Sequence, residues 1–264
     1  MTASVRTVPV GHCAFEAKVR VAGAGPPVVY LHAEGGPAWD PFLEALAAHH
    51  TVYAPDHPGT GDSARDAIHR IPGLWDLVLI YDELLDGLGL ASVPLVGASF
   101  GGMIAAEVAA HRRERITRLV LLDPLGLWRD DAPVAQYMTM MPDELAATLF
   151  HDPDGPAARA ALALPSDPDE LAVAMADRVW AMGATGKFAW PIPDRGLARR
   201  LHRVSAPTLI VWGAEDRLVS PVYAREFAER ISDARVEIVP GGGHLPQLER
   251  LDVVAPLVLD FLAP

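Results

Sequence analysis

The sequence predicts an α/β fold: an open, mostly parallel sheet of about eight strands, flanked by helices and carrying a helical insertion. Three observations lead there. Short apolar runs of the buried-strand type recur along the chain, as at Val28 to Leu31, Val93 to Val96 and Thr208 to Trp212, and each ends in a loop of turn formers. Helix-period segments separate these runs, and strands alternating with helices imply a parallel sheet covered on both faces. A chain of 264 residues is long enough to bury that core as one domain with an insertion.

The elements follow in order. Val5 to Val10 and Cys13 to Ala22 read as an antiparallel pair turned at Gly11-His12. Val28 to Leu31 is a buried strand that ends at the turn-rich loop His32-Ala33-Glu34-Gly35-Gly36-Pro37. Pro37 to Ala48 is a helix with Trp39, Phe42, Leu43 and Leu46 on one face. Thr51 to Ala54 is the next strand, and Pro55 to Ser63 a loop. Pro72 to Leu88 is a long helix opened by proline and closed near Gly87 and Gly89. Val93 to Val96 leads into a helix over Gly102 to Ala110, and Ile116 to Leu122 is a further strand.

The pattern then changes. Gly126 to Arg200 has no clear strand and is rich in tryptophan, methionine and proline, which reads as a helical cap. Alternation resumes with a strand at Thr208 to Trp212, a helix at Pro221 to Ile231, a strand at Val236 to Val239 and a last helix at Leu248 to Leu262. The domains expected are a core of residues 1–125 and 201–264, with residues 126–200 inserted as the cap.

Composition narrows the function classes. A net charge of −12 argues against a general nucleic-acid binder, which carries a basic face. Cys13 is the only cysteine, so an intrachain disulfide is impossible and a cysteine metal cage is disfavoured. No apolar run approaches a membrane span, and Met1 to Val10 lacks the pattern of a signal peptide. A cytoplasmic protein without a membrane partner is expected.

The stretch that carries chemistry is Gly97-Ala98-Ser99-Phe100-Gly101, at the junction of an apolar strand and an apolar helix. A serine between glycines there reads as a nucleophile elbow: a sharp turn that lifts the hydroxyl out of the sheet and aims the Phe100 N–H at an incoming carbonyl oxygen. Ser99 needs a base, because a hydroxyl is a weak nucleophile until its proton is taken. His244 follows Gly241-Gly242-Gly243 and the last strand, in the class of loop where ligands collect in parallel sheets. His244 in turn needs an acceptor. Asp216, just past Thr208 to Trp212, is the first candidate. Asp123, at the end of Ile116 to Leu122, is its rival, and either aspartate has the alternative job of capping a turn.

The order serine, aspartate, histidine at strand–loop junctions resembles the α/β-hydrolase superfamily of the serine-nucleophile, helical-cap type. The resemblance spans nearly the whole chain. It includes Val28 to His32, Ala54 to Ser63, the elbow with Gly102, Thr208 to Gly213 with Asp216, and Gly243-His244. It implies hydrolysis of a small carboxylic ester or lactone through an acyl-enzyme, with Ser99 as nucleophile, His244 as base and Asp216 as its orienter. It also implies a small-molecule acyl substrate and neither cofactor nor metal. By position in the family pattern, Glu34 offers a second oxyanion N–H beside that of Phe100. Its carboxylate must then point away, into solvent or toward a donor on the substrate. Ring-fission dienoate hydrolases, which cleave carbon–carbon bonds, typically have Asn where Ala98 stands and Trp where Leu245 stands. Trp128, Met140, Met141 and Leu245 are the candidates for pocket contacts. The alternatives are carbon–carbon cleavage, acyl transfer, and a non-catalytic ligand-binding protein on the same scaffold.

Overall fold

The computed structural model describes residues 3–263. Its strands are β1 (Ser4–Val10), β2 (Phe15–Ala22), β3 (Pro27–Leu31), β4 (Thr51–Pro55), β5 (Val93–Ala98), β6 (Ile116–Leu122), β7 (Thr208–Gly213) and β8 (Ala234–Val239). They form one eight-stranded sheet in the order β1-β2-β4-β3-β5-β6-β7-β8. The β1/β2 and β2/β4 pairs are antiparallel and every other pair is parallel.

The core helices are α1 (Pro41–Ala47), α2 (Leu74–Gly87) and α3 (Phe100–His111). Between β6 and β7 come α4 (Pro142–Leu149), α5 (Pro156–Ala161) and α6 (Pro168–Ala189). The chain closes with α7 (Val222–Ala228), α8 (Pro246–Glu249) and α9 (Leu251–Leu262). Among the described residues no helix is long and apolar enough to cross a membrane.

Strand side chains alternate between two cores, because successive Cβ atoms point to opposite faces. Val28 and Tyr30, Val96 and Ala98, Val120 and Leu122, and Leu209 and Val211 pack with Phe42, Leu43 and Leu46 of α1 and Val254 and Val258 of α9. Their neighbours Val29, Leu31, Leu95, Leu119, Leu121, Ile210 and Trp212 pack on the opposite face with α2, α3 and α7. Residues 100–110 of α3 are buried on all sides, which explains why that helix is apolar all round.

Several boundaries differ from the sequence reading. The first helix begins at Pro41 rather than Pro37, because the Asp40 carboxylate accepts from the Leu43 N–H (2.9 Å) and caps it there. The second begins at Leu74, after an extended Gly73 whose N–H donates to the Asp76 carboxylate (3.0 Å), so Pro72 lies outside it. A 3₁₀ turn over Arg65–Arg70 has no counterpart in the reading. The final helix is two helices, broken at Arg250 (φ −123°, ψ 47°). Residues 126–200 hold α4, α5 and α6, and each starts with proline in its first turn, where the missing N–H has no intrahelical carbonyl to lose.

The strand order reverses around β3, with β4 on one side and β5 on the other. The loops after β3 and β5 therefore diverge, and a crevice opens beyond the carboxyl ends of those strands. Glu34 follows β3 and Ser99 follows β5.

Candidate active site

Ser99 sits between β5 and α3 with φ 50° and ψ −114°. A positive φ on a residue with a Cβ stores backbone strain, and the surroundings must enforce it. Here the enforcement is steric. A Cβ on Gly97 would strike the Gly101 carbonyl, and one on Gly101 would strike the carbonyls of Leu31 and His32. Only glycines let α3 pass this close to β3. The Ser99 N–H donates to the Leu122 carbonyl (2.9 Å), and the Ser99 carbonyl accepts from Met103 (3.0 Å) and Leu125 (3.1 Å).

Three side chains converge there. The Ser99 hydroxyl lies 2.6 Å from His244 Nε2, and His244 Nδ1 lies 2.8 Å from Asp216 Oδ2. A carboxylate only accepts, so Nδ1 carries the proton and Nε2 is the acceptor that faces Ser99. Asp216 Oδ1 is held by the N–H groups of Leu218 (2.8 Å) and Val219 (2.9 Å). All three residues are buried. Burial pushes the His244 pKa down. The Asp216 charge and hydrogen bond, with the Glu34 charge, outweigh it, and the net shift is upward from 6.5.

Asp123 joins this group without bonding to the histidine. It is fully buried with φ 44°, and its Oδ1 accepts from the Gly213 N–H (2.9 Å). Burial and the neighbouring Asp216 charge raise its pKa well above the usual carboxylate value. A neutral carboxyl beside an ionised one is the stable state of such a pair.

The His244 backbone is tied to the inserted helices. Its N–H donates to the Leu149 carbonyl at the end of α4 (2.8 Å). Glu249 accepts from the N–H groups of Gly243 (2.7 Å), His151 (3.0 Å) and Asp152 (3.0 Å), which joins the histidine loop to the segment after α4. Two further histidines brace the loop after β3. His32 Nδ1–H donates to the Ala33 carbonyl (2.6 Å) while Nε2 accepts from the His57 N–H (3.1 Å). His57 Nε2–H donates to the His32 carbonyl (2.8 Å), and its Nδ1 faces the Tyr81 hydroxyl. Burial lowers the His57 pKa to about 4 and holds His32 well below 6.5, so both rings are neutral braces.

A cavity of about 550 Å³ opens against the loop after β3 and against Leu245, the residue that follows His244, while Ser99, Phe100 and His244 lie outside its lining. Leu245 and Glu34 line it, along with Tyr30, Tyr137, Phe150, Arg178, Met182 and Gln247. Three of the four pocket candidates do not line it. The segment carrying Trp128 is drawn onto α7 by the Arg129 N–H, which donates to the Tyr223 hydroxyl (2.7 Å), and the Trp128 indole donates to Asp130 (2.9 Å). Met140 packs against the large core cluster, and Met141 precedes α4 with 67% of its surface exposed. Tyr137, Gln247 and Glu249 went unmarked in the sequence. Tyr137 was one aromatic among many, and nothing local singles out Gln247 or Glu249.

Two groups place three potential metal-ligand atoms within 4.8 Å of one another. One is Asp123, Asp216 and His244, whose bonds are described above. The other is His12, Cys13 and Asp76 near the β1–β2 turn, where His12 Nε2 already bonds Asp76 (3.0 Å).

The comparisons with known proteins agree with this architecture. A family profile for the alpha/beta hydrolase fold matches residues 26–251. The chain belongs to the α/β-hydrolase family. Among its relatives, a poly(3-hydroxyalkanoate) depolymerase of Ectopseudomonas oleovorans is 31% identical over 236 residues, covering 84% of this chain and 78% of the relative. A 2-hydroxy-6-oxo-6-phenylhexa-2,4-dienoate hydrolase of Burkholderia cepacia is 28% identical, covering 94% and 92%. In fold, this α/β-hydrolase superposes on the meta-cleavage product hydrolase of Pseudomonas fluorescens IP01 with a TM-score of 0.75, at 22% identity, covering 97% of this chain and 96% of that one. A depolymerase and dienoate hydrolases thus both stand among its relatives.

Proposed function

We propose that this protein is a serine hydrolase that cleaves a small carboxylic ester through an acyl-enzyme. The observation that carries the reading is the unbroken chain from Ser99 Oγ through His244 to Asp216, at 2.6 and 2.8 Å. Ser99 Oγ attacks the carbonyl carbon as His244 Nε2 takes its proton. The oxyanion forms beside the Phe100 N–H. As the first residue of α3, Phe100 has no carbonyl one turn earlier to occupy its N–H within the helix. The Glu34 N–H is the second donor in this reading. Such donors are typically worth roughly 10² to 10³ in rate. The imidazolium, steadied by Asp216, returns its proton to the leaving alkoxide. Water then repeats the sequence on the acyl-enzyme and frees the acid. Residues 126–200 act as the cap over this site in the same reading.

The dienoate hydrolases among the relatives favour carbon–carbon cleavage as a second reading. Against it stand Ala98 and Leu245, in the places where those enzymes carry Asn and Trp, and the Glu34 carboxylate lining the cavity, which opposes an anionic substrate. The deciding experiment is p-nitrophenol release from a short-chain ester beside a dienoate, with the Ser99→Ala variant as control. A burst abolished by Ser99→Ala supports the ester reading. Turnover of the dienoate alone replaces it with carbon–carbon cleavage, and turnover of neither leaves a binding protein.

A further inference from the structure

Among the described residues, seven buried side-chain atoms have no hydrogen-bond partner, and three of these, Glu34 Oε2, Tyr137 Oη and Gln247 Oε1, belong to residues that line one cavity. Buried polar atoms are nearly always paired, so three orphans on residues that line one cavity call for a partner. Each residue is more than nine-tenths buried, so bulk solvent is a poor substitute. Two of the three, Glu34 Oε2 and Gln247 Oε1, are acceptors. An ionised carboxylate only accepts. The Gln247 amide hydrogen-bonds the Tyr30 side chain and leaves its oxygen unpaired. The Tyr137 hydroxyl serves as acceptor or donor, and burial with the Glu34 charge raises its pKa, so it stays protonated. Two of the three orphans therefore ask for a donor, and the Tyr137 hydroxyl can complete the bonds of the group that supplies it. Asp40, also in the lining, has its Oδ1 engaged by the Leu43 N–H that it caps. Arg178, the one guanidinium in the lining, lies 3.5 Å from the Ala161 carbonyl.

We infer that the acyl portion of the substrate carries a hydrogen-bond donor, a hydroxyl or an amino group, that is received by Glu34 with Tyr137 and Gln247. Glu34 then has two roles by two atoms: its backbone N–H beside the oxyanion and its carboxylate beyond it, on the acyl chain. The Thr185 hydroxyl of α6 lies 3.5 Å from the Glu34 carbonyl and supports this segment from the side of the inserted helices. A site built to bond a hydroxyl rejects the analogue without it strongly, because its own acceptors are then left buried and unpaired.

The inference rests on the ester reading, so the test has two arms. In the first, kcat/KM is measured for butyryl esters and for their 2-, 3- and 4-hydroxy, amino and fluoro counterparts, fluorine matching the hydroxyl in size without donating. One hydroxylated or aminated ester should exceed its fluoro and unsubstituted partners by at least about 10². Glu34→Leu and, as the smaller change, Tyr137→Phe should each reduce that ratio about tenfold or more, whatever they do to the absolute rate. In the second arm, calorimetry measures binding of the corresponding methyl esters to Ser99→Ala. Donor-selective binding without turnover in the wild type would remove the ester chemistry and keep the inference. Turnover with equal kcat/KM for hydroxylated, aminated, fluoro and plain esters overturns the inference and keeps the chemistry.

Discussion

Replacing Asp123 by asparagine tests the electrostatics of the site most directly. Asp123 is fully buried, bonds the Gly213 N–H through Oδ1, and lies beside Asp216, whose charge and the lack of solvent both hold its proton on. In the unfolded chain an aspartate ionises near pH ~3.9. Above that pH the folded state binds one proton more than the unfolded state. Stability contributed by this group is then fully present below the unfolded pKa and falls as pH rises, by ~1.4 kcal/mol per pH unit, until the folded group also ionises. Asparagine keeps an oxygen for Gly213 and places N–H where the carboxyl proton was, and it does not titrate. The variant should gain on the wild type by ~1.4 kcal/mol for every unit above about pH 4, with the gap levelling only where Asp123 ionises in the fold. Urea unfolding followed by tryptophan fluorescence between about pH 5 and 8 measures this. A gap that stays constant across the range means Asp123 is ionised in the fold, and the reasoning fails.

Three other outcomes follow from the same geometry. Asp216→Asn should lower kcat by orders of magnitude with the fold intact by circular dichroism, while Asp123→Asn stays active; the opposite pair of results would reassign the histidine's partner. Glu34→Gln removes one of the charges that raise the His244 pKa, and since the proposed base acts only when neutral, the acid limb of the pH–rate profile should move to lower pH. An unmoved limb would show that the carboxylate exerts no field on the imidazole. Arg200→Met strips the two bonds (2.8 and 2.6 Å) from Glu107, which is fully buried on α3, and should destabilise the fold by about 3–5 kcal/mol in urea unfolding. A loss under about 1 kcal/mol would mean the pair is solvated, as surface pairs are.

The sheet was legible because burial on both faces writes unbroken apolar runs such as Val28 to Leu31, and the elbow because its glycines answer to clashes a few residues away. Helix starts were harder. Pro37 and Pro72 both resemble opening residues, yet the chain begins its helices where Asp40 and Gly73 are capped, and those choices depend on atoms already in place. The Ser99, His244 and Asp216 positions could be read because each follows a strand. Of the pocket candidates only Leu245 could. Trp128, Met140 and Met141 and the unmarked Tyr137 all belong to one irregular stretch between β6 and α4, and the Arg129–Tyr223 bond, 94 positions apart, helps decide which of them faces inward. Gln247 and Glu249 gained their roles from a short helix that returns under the histidine loop, a contact that no periodicity records.

The interlocked pair of imidazoles at His32 and His57 sets how the protein answers to acid. Every ring nitrogen of that pair has a partner in the fold, and neither ring takes up a proton near neutrality. Mild acidification therefore charges His244 while these two rings stay neutral, and the change beside them falls on the Asp56 carboxyl, which burial raises to about 6. The enzyme should regain full speed on return to neutral buffer from pH 5, with no lag for rearrangement of the two rings.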